Sequence, residues 1–194
     1  MASLKTIYTQ TGTSCLGAFE PLLPQFGSGV RSFFLQNVLG LGPGADVANY
    51  AGPGGLHPCV KDTDTAGNPL LANAGNLLTN DKQIEPYAVS AWIAQTAKNV
   101  TDVHGVTVLG NVAGIPATAI HQFATSTRTV FNVVPNVLVQ GPSNSSTVFV
   151  GPNSLVCQNT ATILKQGLIT NPNCGDTTTQ TDPDLGGDTV GPGE

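Results

Sequence analysis

Charge is scarce in this chain. Only 10% of its 194 residues are charged, with 7 Lys or Arg against 12 Asp or Glu and a net charge of −5. A nucleic-acid partner is excluded on that balance, because such affinity comes from many basic contacts to phosphates. Histidine is limited to His57, His104 and His121, and no cysteines stand in a Cys-x-x-Cys pair. Metal-ligand spacing is therefore missing, and no metal or other cofactor is expected. No apolar run approaches the roughly 20 residues that span a bilayer. Residues 1–14 also lack the apolar centre of a secretory leader, so the expectation is a mature or trimmed form with an added Met-Ala-Ser. The nucleophile elbow Gly-x-Ser-x-Gly is absent, since Phe26 and Val30 hold the outer positions around Gly27-Ser28-Gly29. No histidine has a motif linking it to Ser28, so no catalytic residue is assigned and the chain is not read as an enzyme.

Hydrophobic residues make up 40% of the chain, enough for a core, while 23 Gly and 14 Pro demand short elements and many turns. The length suits one domain, or one lobe with an extension. Four cysteines, Cys15, Cys59, Cys157 and Cys174, are even in number and widely spaced. Disulfides between nearest neighbours, Cys15–Cys59 and Cys157–Cys174, are expected and would imply export to the cell surface or beyond. The alternative is four buried thiols in a cytosolic protein.

The chain is arranged around Phe19–Gly40, FEPLLPQFGSGVRSFFLQNVLG. It reads as a short strand, a glycine-flanked serine turn and an amphipathic helix whose face is Val30, Phe33, Phe34 and Val38, widened by Leu35 and Leu39. Gly40 is the expected stop. At the other end, the first helical N–H groups have no partner within the helix, and the helix dipole is positive there. Ser28 offers a hydroxyl, Gly29 and Val30 offer amides, and Arg31 offers an amide and a guanidinium able to grip two oxygens of an oxyanion. The plainer reading is a capping Ser28 and a solvated Arg31.

Along the chain, Leu4–Thr9 alternates like a strand, and Leu41–Pro58 is a long loop. Val60–Thr79 is irregular, with Asp62 and Asp64 as solvated turn carboxylates. Thr79-Asn80-Asp81 resembles a helix start, Ser90–Lys98 a compact helix capped by Ser90, and Val106–Ala113 a valine-rich strand. Thr127–Val139 carries the strongest β signal, interrupted by Pro135. Asn153–Gly167 reads as a helix and residues 177–194 as a disordered tail.

Strand, Gly-Ser-Gly, a small residue, Arg and an aromatic-rich helix together resemble the signature of phosphate-binding proteins of ABC transporters, the PstS-like type II periplasmic-binding-protein fold. Further blocks follow the family in order. They are Tyr8-Thr9-Gln10-Thr11, Pro58-Cys59-Val60-Lys61-Asp62-Thr63, Leu78-Thr79-Asn80-Asp81, Ile84-Glu85-Pro86-Tyr87-Ala88-Val89-Ser90, Trp92-Ile93-Ala94-Gln95, Val108-Leu109-Gly110, Phe131-Asn132-Val133-Val134-Pro135 and Asn173-Cys174-Gly175-Asp176. Val30 replaces the family's usual threonine, and Pro24-Gln25-Phe26 stands where many members place an arginine and an aspartate. What remains of the binding set is Ser28, Gly29, Val30 and Arg31.

The resemblance implies an α/β fold: a three-layer, loop-rich lobe with a mixed sheet, partial relative to the two-lobe family. Residues 1–126 would form the lobe carrying the anion turn, and 127–176 the strand and helix returning from the second lobe. Roughly one hundred residues of the opposite wall would be missing, by comparison with ordinary domain size. The implied function is a secreted module binding a small oxyanion such as phosphate for uptake through an ABC permease. A second copy or a separate chain would complete the open face. An extracellular scaffold that has kept this fold and lost its ligand is the alternative.

Overall fold

A computed structural model describes residues 3–12, 15, 17–111, 114–119, 130, 132 and 134–177. The chain divides into two units, Met1–Ala119 and Ile120–Glu194. Helices and a two-stranded parallel sheet make the first unit α/β in outline, and most of its length is loop.

The chain opens with α1, Leu4–Tyr8, where alternation suggested a strand. Ser3 decides the matter: its hydroxyl accepts from the Thr6 amide at 3.2 Å, an N-cap that starts a helix. Ile7 and Tyr8 are then both buried, which neighbouring strand residues could not achieve on one face. The Tyr8 hydroxyl lies 3.0 Å from Leu22 O and 2.8 Å from Ile84 O, so α1 is fastened to the sheet beneath it.

That sheet pairs β1, Glu20–Pro21, with β2, Gln83–Ile84, in parallel. A parallel bridge from Leu22 to Lys61 extends it on the other side. The helix start expected at Thr79 is instead a turn into β2: Gln83 Oε1 accepts from the Thr79 amide, and Asn80 Oδ1 from the Lys82 amide.

The central helix begins as α2, Gly29–Phe33, and continues as a π-turn, Phe34–Val38, closed by Leu39 N–H donating to Phe34 O at 2.9 Å. Gly40 follows at φ 61°, the left-handed stop. The buried face is Arg31, Phe34, Leu35 and Leu39, while Val38 is exposed. The helix is therefore rotated from the face that apolar residues alone suggest. Phe34, Leu35 and Leu39 pack with Ile7, Tyr8, Leu23, Tyr50 and Val60 to form the core.

Beyond it, α3 spans Val89–Thr96 with Ala88, not Ser90, at the N-cap. Buried Gln95 ties it down: Nε2 donates to Asn73 O, and Oε1 accepts from the Tyr87 hydroxyl and the Val103 amide. The valine-rich stretch after it is unpaired among the described residues, with Val106 and Val108 almost wholly exposed.

In the second unit, α4 (Asn144–Phe149), α5 (Leu155–Gln158) and α6 (Thr160–Lys165) contain no buried residue. A capping box between Ser143 and Ser146 starts α4, a helix that the sequence reading did not anticipate. The helix expected over 153–167 is divided at Asn159. Of the expected strand at 127–139, the described part includes exposed Val130 and a 3-10 turn, Asn136–Leu138. Positions 127–129, 131 and 133 of that strand, His121, and the tail from 178 onward lie outside the described residues.

Both disulfides join neighbours along the chain, Cys15 to Cys59 and Cys157 to Cys174. They fit an oxidising environment outside the cell. Among the described residues, no helix is long and apolar enough to cross a membrane, and no cluster of three or more His, Cys, Asp or Glu could hold a metal ion.

Candidate functional site

The glycine turn is built by short local bonds. Gly27 has φ 85°, a backbone state that a side chain would strain, and the Ser28 amide donates to Gln25 O at 3.1 Å. The first main-chain bond of the helix runs from the Ser32 amide to Ser28 O at 3.0 Å, so the amides of Gly29, Val30 and Arg31 precede it. Ser28 occupies the N-cap with extended backbone, yet its side chain makes no capping bond. Gly27 and Gly29 are exposed, and Ser28 and Val30 are half-buried. Ser28, Gly29 and Val30 thus stand together at an open helix start.

Arg31 does not join them with its side chain. Its guanidinium is completely buried. Nε donates to Asp46 Oδ1 at 2.7 Å, Nη1 to Asp62 Oδ2 at 2.9 Å and to Pro24 O at 3.2 Å, and Nη2 to Val47 O at 3.1 Å. The rings of Phe26 and Tyr50 lie 5.7 and 6.0 Å from its central carbon. Asp46 also accepts from the Ser32 hydroxyl at 2.9 Å. The guanidinium expected to grip an oxyanion, or else to sit in water, is instead the hub of a buried ion-pair network. Only its backbone amide remains at the turn.

The physical reason is desolvation. A buried cation must be matched by charge and hydrogen bonds on nearly every side, and here four of five N–H groups are engaged. Asp62, read as a solvated turn carboxylate, is one of the two counter-charges. Asp46, in the middle of a Gly- and Ala-rich loop, is the other. The signal for both was the oddity of one arginine on a helix that otherwise has no charge.

Burial also pushes the Tyr50 phenol up to about 12, the nearby Arg31 charge acting in the opposite sense. Tyr8 is pushed well above the ordinary phenol range, mainly by burial and further by Glu85 and Tyr50. Neither phenol ionises at neutral pH.

A second polar pair, His104 and Asp102, lies beside Trp92. His104 contacts its ring edge-to-face at 6.0 Å, and His104 Nδ1 makes a short contact to Asp102 Oδ1. The Asp102 carboxyl is held below the usual carboxylate range, chiefly by that His104 bond. No protein-family model matches this chain, and neither a curated protein nor a solved structure does.

Proposed function

We propose that this chain is a secreted, PstS-like substrate-binding module that takes a small oxyanion, phosphate foremost, at the turn Gly27–Gly29. It would serve uptake through an ABC-type permease as a partial binding-protein-like lobe. Its donors are the Ser28 hydroxyl and the amides of Gly29, Val30 and Arg31. Ser28 carries the reading: a serine at a helix N-cap whose hydroxyl does no capping is available to another acceptor. The Arg31 side chain acts beneath the turn, fixing the loops that bear Asp46 and Asp62. A second copy or separate chain covering the exposed turn would lower the dielectric and strengthen each contact.

The buried Arg31 network favours a second reading, an extracellular scaffold that has kept the turn and lost the ligand. With the Arg31 charge answered by two carboxylates, the turn would attract an anion mainly through dipoles. Titration calorimetry with phosphate and sulfate separates the two. The wild type should give saturable heat with at least one anion. Ser28→Ala and Gly29→Pro should each weaken it by about tenfold, the scale of one lost hydrogen bond to a charged group. Proline suits the first helical position, so Gly29→Pro removes a donor while preserving the helix. Wild-type silence for both anions selects the scaffold.

A further inference from the structure

Glu85 is the residue that neither the turn nor the core explains. It follows β2 directly, and both its carboxyl oxygens are shielded from solvent without a hydrogen-bond partner among the described residues. Its position matters because the preceding residue, Ile84, uses its carbonyl to hold the Tyr8 hydroxyl at 2.8 Å. The same hydroxyl reaches Leu22 O, and Tyr50 donates to Tyr8 O at 3.0 Å, so α1 is held on the sheet through Tyr8. The titratable groups that act on or feel this carboxyl are Tyr8 from α1 and Tyr87 on the segment that follows, with Tyr50 one step further, against Tyr8. None of these supplies a positive charge.

We propose that Glu85 is a pH-dependent latch on α1: as a neutral acid it stays inside while Tyr8 holds α1 to β2, and as a carboxylate it moves to water and releases α1. The physical argument is the cost of a buried carboxylate without a counter-ion or donors, which far exceeds that of the neutral acid. Burial accordingly pushes the carboxyl from its ordinary 4.5 up to about 8. The closed state therefore keeps a proton that the open state gives up to water between those two values. Raising the pH through that window favours opening by up to about tenfold per pH unit, levelling off above it. Tyr8, Tyr50 and Tyr87 are all raised, so they remain protonated throughout and cannot produce this slope. The latch is independent of any anion at the glycine turn.

Native-state hydrogen exchange on the intact, oxidised chain from pH 5 to 8 tests it, with rates corrected against an unstructured peptide. The informative amides are Ile7, bonded to Ser3 O within α1, and Leu22, bonded to Ile84 O. Wild-type protection at both should fall several-fold to about tenfold per pH unit, and Glu85→Gln should be flat. A flat wild type, or an equal slope in Glu85→Gln, overturns the latch. So does the same slope at the Cys174 amide of the second unit, which would report global opening. Should Glu85→Gln fail to fold, carbon NMR of the wild-type Glu85 carboxyl decides: a midpoint near 8 supports the latch, and an ordinary carboxylate midpoint overturns it.

Discussion

Arg31 Nε lies 2.7 Å from Asp46 Oδ1, with the arginine fully buried and the aspartate only 4% exposed. Together with Asp62, this pair ties the central helix to the two loops that bear the aspartates. A cation at the heart of a chain so poor in charge is a structural commitment.

Arg31→Ala should therefore destabilise the protein by about 3–5 kcal/mol, the range for removing one partner of a buried ion pair. Asp62→Asn should cost less, since Asp62 is 22% exposed and water can replace part of its role. Urea unfolding measures both. A loss below about 1 kcal/mol for Arg31→Ala would mean the guanidinium is not inside. Because this variant perturbs folding, Ser28 and Gly29 are the better positions at which to probe ligand binding.

Gln95→Met keeps volume but strands the Tyr87 hydroxyl, the Val103 amide and the Asn73 carbonyl. These groups are part-buried and water can reach some of them, so a loss of about 1–3 kcal/mol, the scale of one abandoned group, is expected in equilibrium unfolding. Amide exchange should accelerate first at Val103. Uniform acceleration across the first unit would contradict the local role assigned to Gln95.

In the second unit the Cys157–Cys174 bridge carries weight that a core carries elsewhere, because α4, α5 and α6 bury no residue. Chain-entropy reasoning gives the 17-residue closure about 3 kcal/mol. Replacing both cysteines with alanine should abolish amide protection in α5 and α6 while leaving Leu22 and Val60 protected. Unchanged protection at Ile163 would show that packing, not the bridge, holds this unit.

The central helix and its Gly40 stop were legible in the sequence because apolar spacing and a terminal glycine are local signals. The cysteine partners followed from chain proximity, and the loop between Leu41 and Pro58 from its glycines. The apolar spacing misplaces the face of the helix by about one position, since Arg31 reads as gripping an anion or sitting in water and its apolar neighbours are counted without it. The carboxylates that make its burial tolerable, Asp46 and Asp62, lie 15 and 31 residues away. No local pattern marks such a pairing. Leu4–Thr9 misled in the opposite way: its alternation is genuine, but Ser3 capping and the Tyr8 anchor select a helix. Val106 and Val108 have strand propensity without a neighbour to pair with among the described residues, and propensity alone supplies no ladder.

The parallel register of Glu20 with Gln83 and Pro21 with Ile84 bears on how the chain assembles as well as on its final form. Contacts between such distant partners are slow to nucleate, because the intervening chain must be gathered before any bond rewards it. Oxidation of Cys15 and Cys59 gathers much of it in advance. An oxidising environment thereby favours the sheet, and a chain kept reduced should form it more slowly.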